Sequence, residues 1–441
     1  MRYKAFKPTI LKDVCDEITV GYVGPMSTEY KETGVLFLRS LNIKPFRLDF
    51  SDIKFISTEF NDKISKSSLK EGDVVVVRTG LPGTSCVIPK GFNLLNCSDL
   101  VVVRPNRKLV NSHFLSYFFN TVAKKYIDDN VVGAIQQHFN IGSAKEMIIN
   151  LPDLQDQNKI EKVLNEINQK IELNNRINVE LEGMAKLIYD YWFVQFDFPD
   201  ENNKPYKTSG GKMVWNTELK REIPEGWSVK ELKKIASTGS GGTPLSTRLD
   251  YYENGNIPWI NSGEVNKPFI VKAEKFISEA GLINSSAKMF RKGTILMAMY
   301  GATAGKVSMI DIEACTNQAI CGINPNYDYY DTFVKIGLED LYKYLVNLSS
   351  GSARDNLSQD KIRALKFIMP SEELLKEFHK KVNSSMLKIL MNLKENQKLT
   401  ELRDWLLPML MNGQVRVAGD GGEMGMAADR ERVEYNATRK T

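Results

Sequence analysis

Two stretches of the chain carry apolar residues at alternating spacings of four and three, the pattern of a helix with one buried seam. The first runs through Ile160, Leu164, Ile167 and Ile171, then Leu181, Ala185, Ile188 and Trp192. The second lies 218 residues further on, through Phe378, Val382, Ser385 and Ile389, then Leu399, Arg403, Leu406 and Leu410. Each seam is broken at its middle by two amides, Asn174 and Asn178 in one and Asn392 and Asn396 in the other. A buried Asn lowers stability but fixes register, because only a facing amide satisfies it. If the two helices run antiparallel, their midpoints meet and the four amides pair across a pseudo-two-fold axis; the alternative is a solvated face at that height. Asp153 and Ser371, each directly after a proline, are the expected N-caps.

The repeat extends upstream of the helices. Gly133-Ala134-Ile135-Gln136, followed by Leu151-Pro152, stands 218 residues ahead of Gly351-Ser352-Ala353-Arg354, followed by Met369-Pro370. Leu69-Lys70-Glu71-Gly72-Asp73-Val74 matches Phe290-Arg291-Lys292-Gly293-Thr294-Ile295, and Phe37-Leu38-Arg39-Ser40 matches Trp259-Ile260-Asn261-Ser262. Small changes in loop length account for the drift in offset. Each copy opens with short runs of Val, Ile and aromatics punctuated by Gly, Pro and Asn, which predicts strands, and closes in the long helix. The expected fold is therefore α+β: two tandem mixed domains at 1–150 and 223–370, helices at 151–196 and 371–412, a linker at 197–222, and a disordered tail from 413 to 441.

Composition narrows the classes. At 441 residues, 42% hydrophobic and 26% charged, the chain is ordinary for a globular protein of several domains. No apolar run reaches transmembrane length and the start has no apolar signal core, so the expectation is a cytoplasmic protein without membrane contact. Five cysteines without a C-x-x-C argue against a disulfide framework or a thiolate metal site. The net charge of +5 is mild, but residues 1–150 carry 20 basic against 15 acidic side chains and are the one distinctly basic block.

Catalytic signatures fail on inspection. Gly301-Ala302-Thr303-Ala304-Gly305-Lys306 is one residue short of a phosphate loop and lacks the magnesium-binding hydroxyl. Asn324-Pro325-Asn326-Tyr327 lacks the second proline of an adenine-methyltransferase signature, and the other copy has Arg104-Pro105-Asn106-Arg107 there. His113, His138 and His379 have no metal-binding or charge-relay spacing. No catalytic residue and no metal site is expected.

The doubled module resembles the specificity (S) subunit of type I restriction-modification systems, over nearly all of residues 5–417. The resemblance rests on Gly133-Ala134-Ile135-Gln136 with Leu151-Pro152, on Met184-Ala185-Lys186-Leu187-Ile188-Tyr189-Asp190-Tyr191-Trp192-Phe193, and on Ile223-Pro224-Glu225-Gly226-Trp227. Thr243-Pro244, Gly263-Glu264-Val265 and Leu406-Leu407-Pro408-Met409-Leu410 add to it. It implies two target-recognition domains, each reading one half of a bipartite site in double-stranded DNA, and two long helices paired as an antiparallel coiled coil. It also implies two modification (methyltransferase) subunits carrying S-adenosylmethionine, and restriction subunits that use ATP and Mg2+ for translocation and cleavage. This chain would bind none of these cofactors and would supply address and scaffold. A self-contained methyltransferase or nuclease, and a coiled-coil scaffold without DNA recognition, are the competing readings. A helix from Ile160 to Trp192 would span about 50 Å, against roughly 34 Å for one turn of DNA, so its length would set the spacer.

For base reading, polar loop residues at equivalent places are the candidates. In the first domain these are Arg39, Ser40, Asn42, Arg78, Thr79, Gln136, Gln137 and His138. In the second they are Asn261, Ser262, Glu264, Tyr300, Thr303, Lys306, Arg354 and Asn356.

Overall fold

The computed structural model describes residues 6–129, 139–341, 357–417 and 424–426. Nine strands are common to both copies. In the first they are β1 (Lys7–Ile10), β2 (Cys15–Val20), β3 (Val35–Leu38), β4 (Lys54–Ile56), β5 (Val74–Val77), β6 (Ser85–Val87), β7 (Leu95–Cys97), β8 (Leu100–Pro105) and β9 (Ile148–Leu151). In the second they are β10 (Ser228–Glu231), β11 (Ala236–Ser240), β12 (Ile257–Ile260), β13 (Lys275–Ile277), β14 (Ile295–Ala298), β15 (Val307–Ile310), β16 (Ala314–Thr316), β17 (Ile320–Pro325) and β18 (Lys366–Met369). Among the helices, α1 (Ser112–Phe119), α2 (Ile141–Lys145) and α3 (Leu154–Tyr189) repeat as α4 (Asp331–Asp340), α5 (Gln359–Arg363) and α6 (Glu372–Met411).

The sheets have one topology in both copies. The larger is antiparallel in the order β2-β8-β5-β6, repeated as β11-β17-β14-β15 with Phe269–Ile270 added at its edge. The smaller is built on β7-β3-β4 and on β16-β12-β13, with β3 parallel to β7 and β12 parallel to β16. Central strands are buried on both faces, which is why they read as unbroken apolar runs. Val74 and Val76 face a core that includes Phe114, Ile160 and Leu164, while Val75 and Val77 face Leu38, Ile43 and Leu95. Ile295 and Met297 divide from Leu296 and Ala298 in the same manner.

The ends of each domain are tied together. β1 pairs antiparallel with β9, Lys7 opposite Leu151, and β10 pairs with β18, Ser228 opposite Met369. Chain entry and exit thus sit side by side, directly before the long helix starts. Asp153 Oδ1 accepts from the Asp156 N–H at 2.9 Å and Ser371 Oγ from the Leu374 N–H at 3.3 Å, capping α3 and α6.

By contacts the chain divides into two units, Met1–Glu172 with Lys398–Thr441, and Leu173–Gln397. Each holds one domain, part of α3 and part of α6. In the first unit, Ile160, Leu164 and Ile167 share a core with Leu406, Leu407 and Leu410, and Asn168 accepts from Arg403 Nη1 at 3.1 Å. Arg403, which interrupts the seam, is accounted for by that bond and by its guanidinium 5.0 Å over the Phe46 ring. In the second unit, Asn174 Nδ2 donates to Asn396 Oδ1 at 2.9 Å and Asn392 Nδ2 to Asn178 Oδ1 at 2.8 Å. Partner numbers fall as the first helix advances, so the helices run antiparallel there, and the 218-residue repeat carries each of the two pairs onto the other. Asn174, Asn178 and Asn392 are at most 4% exposed, and Asn396 is 8% exposed. Phe378, Val382 and Ile389 belong to the second unit's core with Leu181 and Ile188 at its edge, and Ile171 and Leu399 edge the first. Ser385 is half-buried and Met386 fills the adjoining core place.

After α3, residues Asp190–Val194 form a π turn that points both Trp192 and Phe193 inward, onto Phe378 with ring centroids 5.9 and 4.9 Å apart. The stretch 197–222, expected to be a linker, is packed: Phe198 stacks on Tyr206 and Trp227, and Met213–Asn216 pairs with Arg221–Pro224. Within the stretch read as a tail, Val415–Val417 pairs antiparallel with Met424–Met426.

Replacing Asn178 or Asn392 alone by Leu leaves its buried partner amide unpaired, and an expected loss of about 1–3 kcal/mol follows. The double variant N178L/N392L should recover most of it, as read by urea unfolding of the full chain.

Candidate nucleic-acid interface

In each domain a tight turn leaves the small sheet beside the loop that leaves the large one. The first is a 3-10 turn, Ser40–Asn42 after β3 and Ser262–Glu264 after β12. One device shapes both. Asn42 Oδ1 accepts from the Arg39 N–H at 3.0 Å, and Glu264 Oε1 accepts from the Asn261 N–H at 2.9 Å. Asn42 Nδ2 also donates to the carbonyls of Asp49 and Asp52, and Glu264 Oε2 accepts from the Glu274 N–H. With Asn42 2% exposed, its amide is committed to the turn. Its place is therefore inside the loop scaffold, as a short polar side chain can bond its own backbone, while Glu264 is half-buried and spends both carboxylate oxygens on the backbone N–H groups of Asn261 and Glu274.

The other candidates fall around these turns. The Arg39 guanidinium lies half-buried, 2.8 Å from the Asp52 carboxylate and 2.7 Å from the Asp52 carbonyl. Hydrogen bonding from Arg39 holds the Asp52 carboxyl below its usual range. Arg78 pairs with Asp99 and donates from Nε to the Phe139 carbonyl at 3.1 Å. Ser40 and Thr79 are half-buried. In the second domain, Thr303 Oγ1 donates to the Ser262 carbonyl at 2.9 Å, joining the two turns, while Tyr300 packs partly into the core and Lys306 is half-buried. Gln136, Gln137, His138, Arg354 and Asn356 lie outside the described residues.

Close backbone approach fixes how the loops after β2 and β11 start. A Cβ added at Gly21, just after β2, would fall 1.9 Å from the Ser98 carbonyl oxygen, and one at Gly241, just after β11, 2.1 Å from that of Thr316. Only glycine fits either crossing.

A shallow groove in the first domain is lined by Tyr22, Val23, Met26, Tyr30, Arg39, Ser40, Leu41 and Asp99. It brings Arg39 and Ser40 beside the partner of Arg78. Tyr22, Val23 and Leu41 carry one signal along the chain, an apolar side chain in a loop with no strand or helix period to bury it.

Among the described residues no group of three or more His, Cys, Asp or Glu is placed to hold a metal ion, and no helix is long and apolar enough to cross a membrane. The five cysteines are free, and burial pushes the Cys86 and Cys321 thiols up to about 12, away from thiolate chemistry.

Because Asn42 organises the turn, Asn42→Ala is expected to lower stability by about 1–3 kcal/mol through unpaired backbone groups. Chemical unfolding of the variant against the parent checks this.

The sequence profile of the type I restriction modification DNA specificity domain matches residues 8–183 and 224–403. The chain is 27% identical over 431 residues to the type I restriction enzyme HindI specificity subunit of Haemophilus influenzae, covering 85% of this chain and 92% of that one. It is 26% identical over 381 residues to the MjaIX specificity subunit of Methanocaldococcus jannaschii, covering 84% and 85%. The crystal structure of the type I S subunit from M. genitalium superposes with a TM-score of 0.57 at 16% identity, covering 93% of this chain and 97% of that one, and so shares the fold. With both copies of the module inside the matched residues, the chain belongs to the type I restriction modification DNA specificity family, as a non-catalytic specificity subunit.

Proposed function

We propose that each domain reads one half of a bipartite site in double-stranded DNA, and that α3 and α6 set the length of the unread spacer between the halves. One observation carries this reading: two domains of one topology, each tied at its own ends and each delivered onto a long helix. A module closed at its ends can change its reading loops without altering the scaffold. At about 1.5 Å per residue, the 36 residues of α3 span about 54 Å and the 40 of α6 about 60 Å, longer than one turn of duplex. In this reading Arg39, Arg78 and Lys306 meet guanine or phosphate, and Ser40, Thr79, Asn261, Ser262 and Thr303 lie where they can bond base edges.

The helices also offer places for partners. Met184 and Leu187 are exposed on α3, and their repeats Leu402 and Trp405 are exposed on α6. Two like stripes suit two copies of one protein, the modification subunits that bring S-adenosylmethionine, with restriction subunits adding ATP- and Mg2+-dependent steps.

Exchanging residues 1–150 for those of a relative should change one half-site and leave the other, read by mapping methylated adenines in a host that expresses the complex. A change in both halves would refute modular reading. Inserting one heptad in both helices should lengthen the spacer in the same assay. Leu187→Glu and Trp405→Glu should each lower the number of modification subunits held from two to one, as counted by native mass spectrometry.

A further inference from the structure

We infer that the first domain reads thymine by its 5-methyl group, through an apolar surface made by Val23 and Leu41, and that the second domain does not. This rests on the DNA-reading assignment above. Both side chains are largely exposed, Val23 at 65% and Leu41 at 63%, and both line the groove that also holds Tyr22, Tyr30, Arg39 and Asp99. An apolar pair left in water on two different loops of a DNA-specificity domain gains from contact with an apolar group on the ligand, and the thymine methyl is that group on a major-groove base edge. The surroundings favour a polyanion: Arg39, Lys54 and Arg78 stand against Asp52 and Asp99, which hold Arg39 and Arg78 in place.

The second domain has no apolar side chain at either of these two places, though Leu245 and Leu249 are exposed further along the loop after β11. By the offset that aligns Gly21 with Gly241, Val23 corresponds to Thr243, whose hydroxyl is bonded to Gln318. By the offset that aligns Asn42 with Glu264, Leu41 corresponds to Gly263, which has no side chain. Two domains of one topology thus differ in chemistry at the same two places. The first half-site should contain a thymine whose methyl is read, and the second should be indifferent to that methyl.

Uracil in place of thymine removes the methyl and leaves the pairing edge intact, which makes it the probe. The full chain, in complex with its modification subunits, is titrated by fluorescence anisotropy with a duplex bearing the mapped site and with duplexes carrying uracil at each thymine in turn. Loss of one buried methyl is expected to weaken binding about fourfold at one or more thymines of the first half-site and at none of the second. Leu41→Ser and Val23→Ser, both surface changes whose folding is checked by thermal melting, should bind the thymine duplex about as weakly as the parent binds the uracil duplex, with the uracil effect abolished.

Equal binding of every uracil duplex overturns the inference, as does a Leu41→Ser variant that keeps the uracil effect or a first half-site without an A·T pair. A complex that cannot tell the mapped duplex from a scrambled one removes the DNA-reading assignment itself, and this inference with it.

Discussion

An amide buried in an apolar seam has to meet another amide at one height along the facing helix, and that requirement organises the rest of this structure. Each single pairing holds a register; two pairings that exchange under the 218-residue repeat, Asn174 with Asn396 and Asn178 with Asn392, hold a register that is also symmetric. Slipping one helix by a turn would strand all four amides in low dielectric, where an unpaired polar group costs on the order of 1–3 kcal/mol. An all-leucine seam would be more stable and less particular. The polar break gives up some stability for one defined alignment.

From that alignment follows what a recognition module requires of its scaffold. The first unit seats its domain on α3 through Asn111 bonds to Asn158 and Glu161, and through Asn168 to the Tyr117 hydroxyl. The second seats its domain through aromatics, with Tyr189, Phe193, Phe333 and Phe378 in mutual ring contact. Both joints rest on apolar packing, to which the first unit adds these amide bonds and the second these ring contacts, while the domain they carry keeps the same strand order. Closure of each domain by β1 with β9 and by β10 with β18 explains how that order survives different loops. The loops after β2 and β11 start from crossings so close that only glycine fits, so their roots are fixed.

The two turns, Ser40–Asn42 and Ser262–Glu264, show where polar chemistry divides between scaffold and surface. Asn42 and Glu264 are chemically unlike, one neutral and one acidic, yet both accept from the N–H three residues back. Arg39 and Asn261 stand at the other end of the same turn. Sequence reasoning treated all four as readers, because residue type alone cannot say whether a side chain bonds its own loop or faces outward.

Periodicity was enough to place the two long helices, their capping residues, their amide breaks and the duplication, because these are local or nearly local patterns whose spacing is set by 3.6 residues per turn. The same pattern could not assign Arg403, which looks like a fault in a seam until Phe46 and Asn168 are brought to it from far along the chain. Nor could it show that residues 197–222 are packed, since Phe198 finds Trp227 only after the intervening turns have folded. Burial of Asn42, exposure of Val23 and Leu41, and the meeting of loops around one groove belong to tertiary structure alone. They depend on which long-range neighbours arrive, and strand pairing between residues sixty apart in sequence leaves no period along the chain to read.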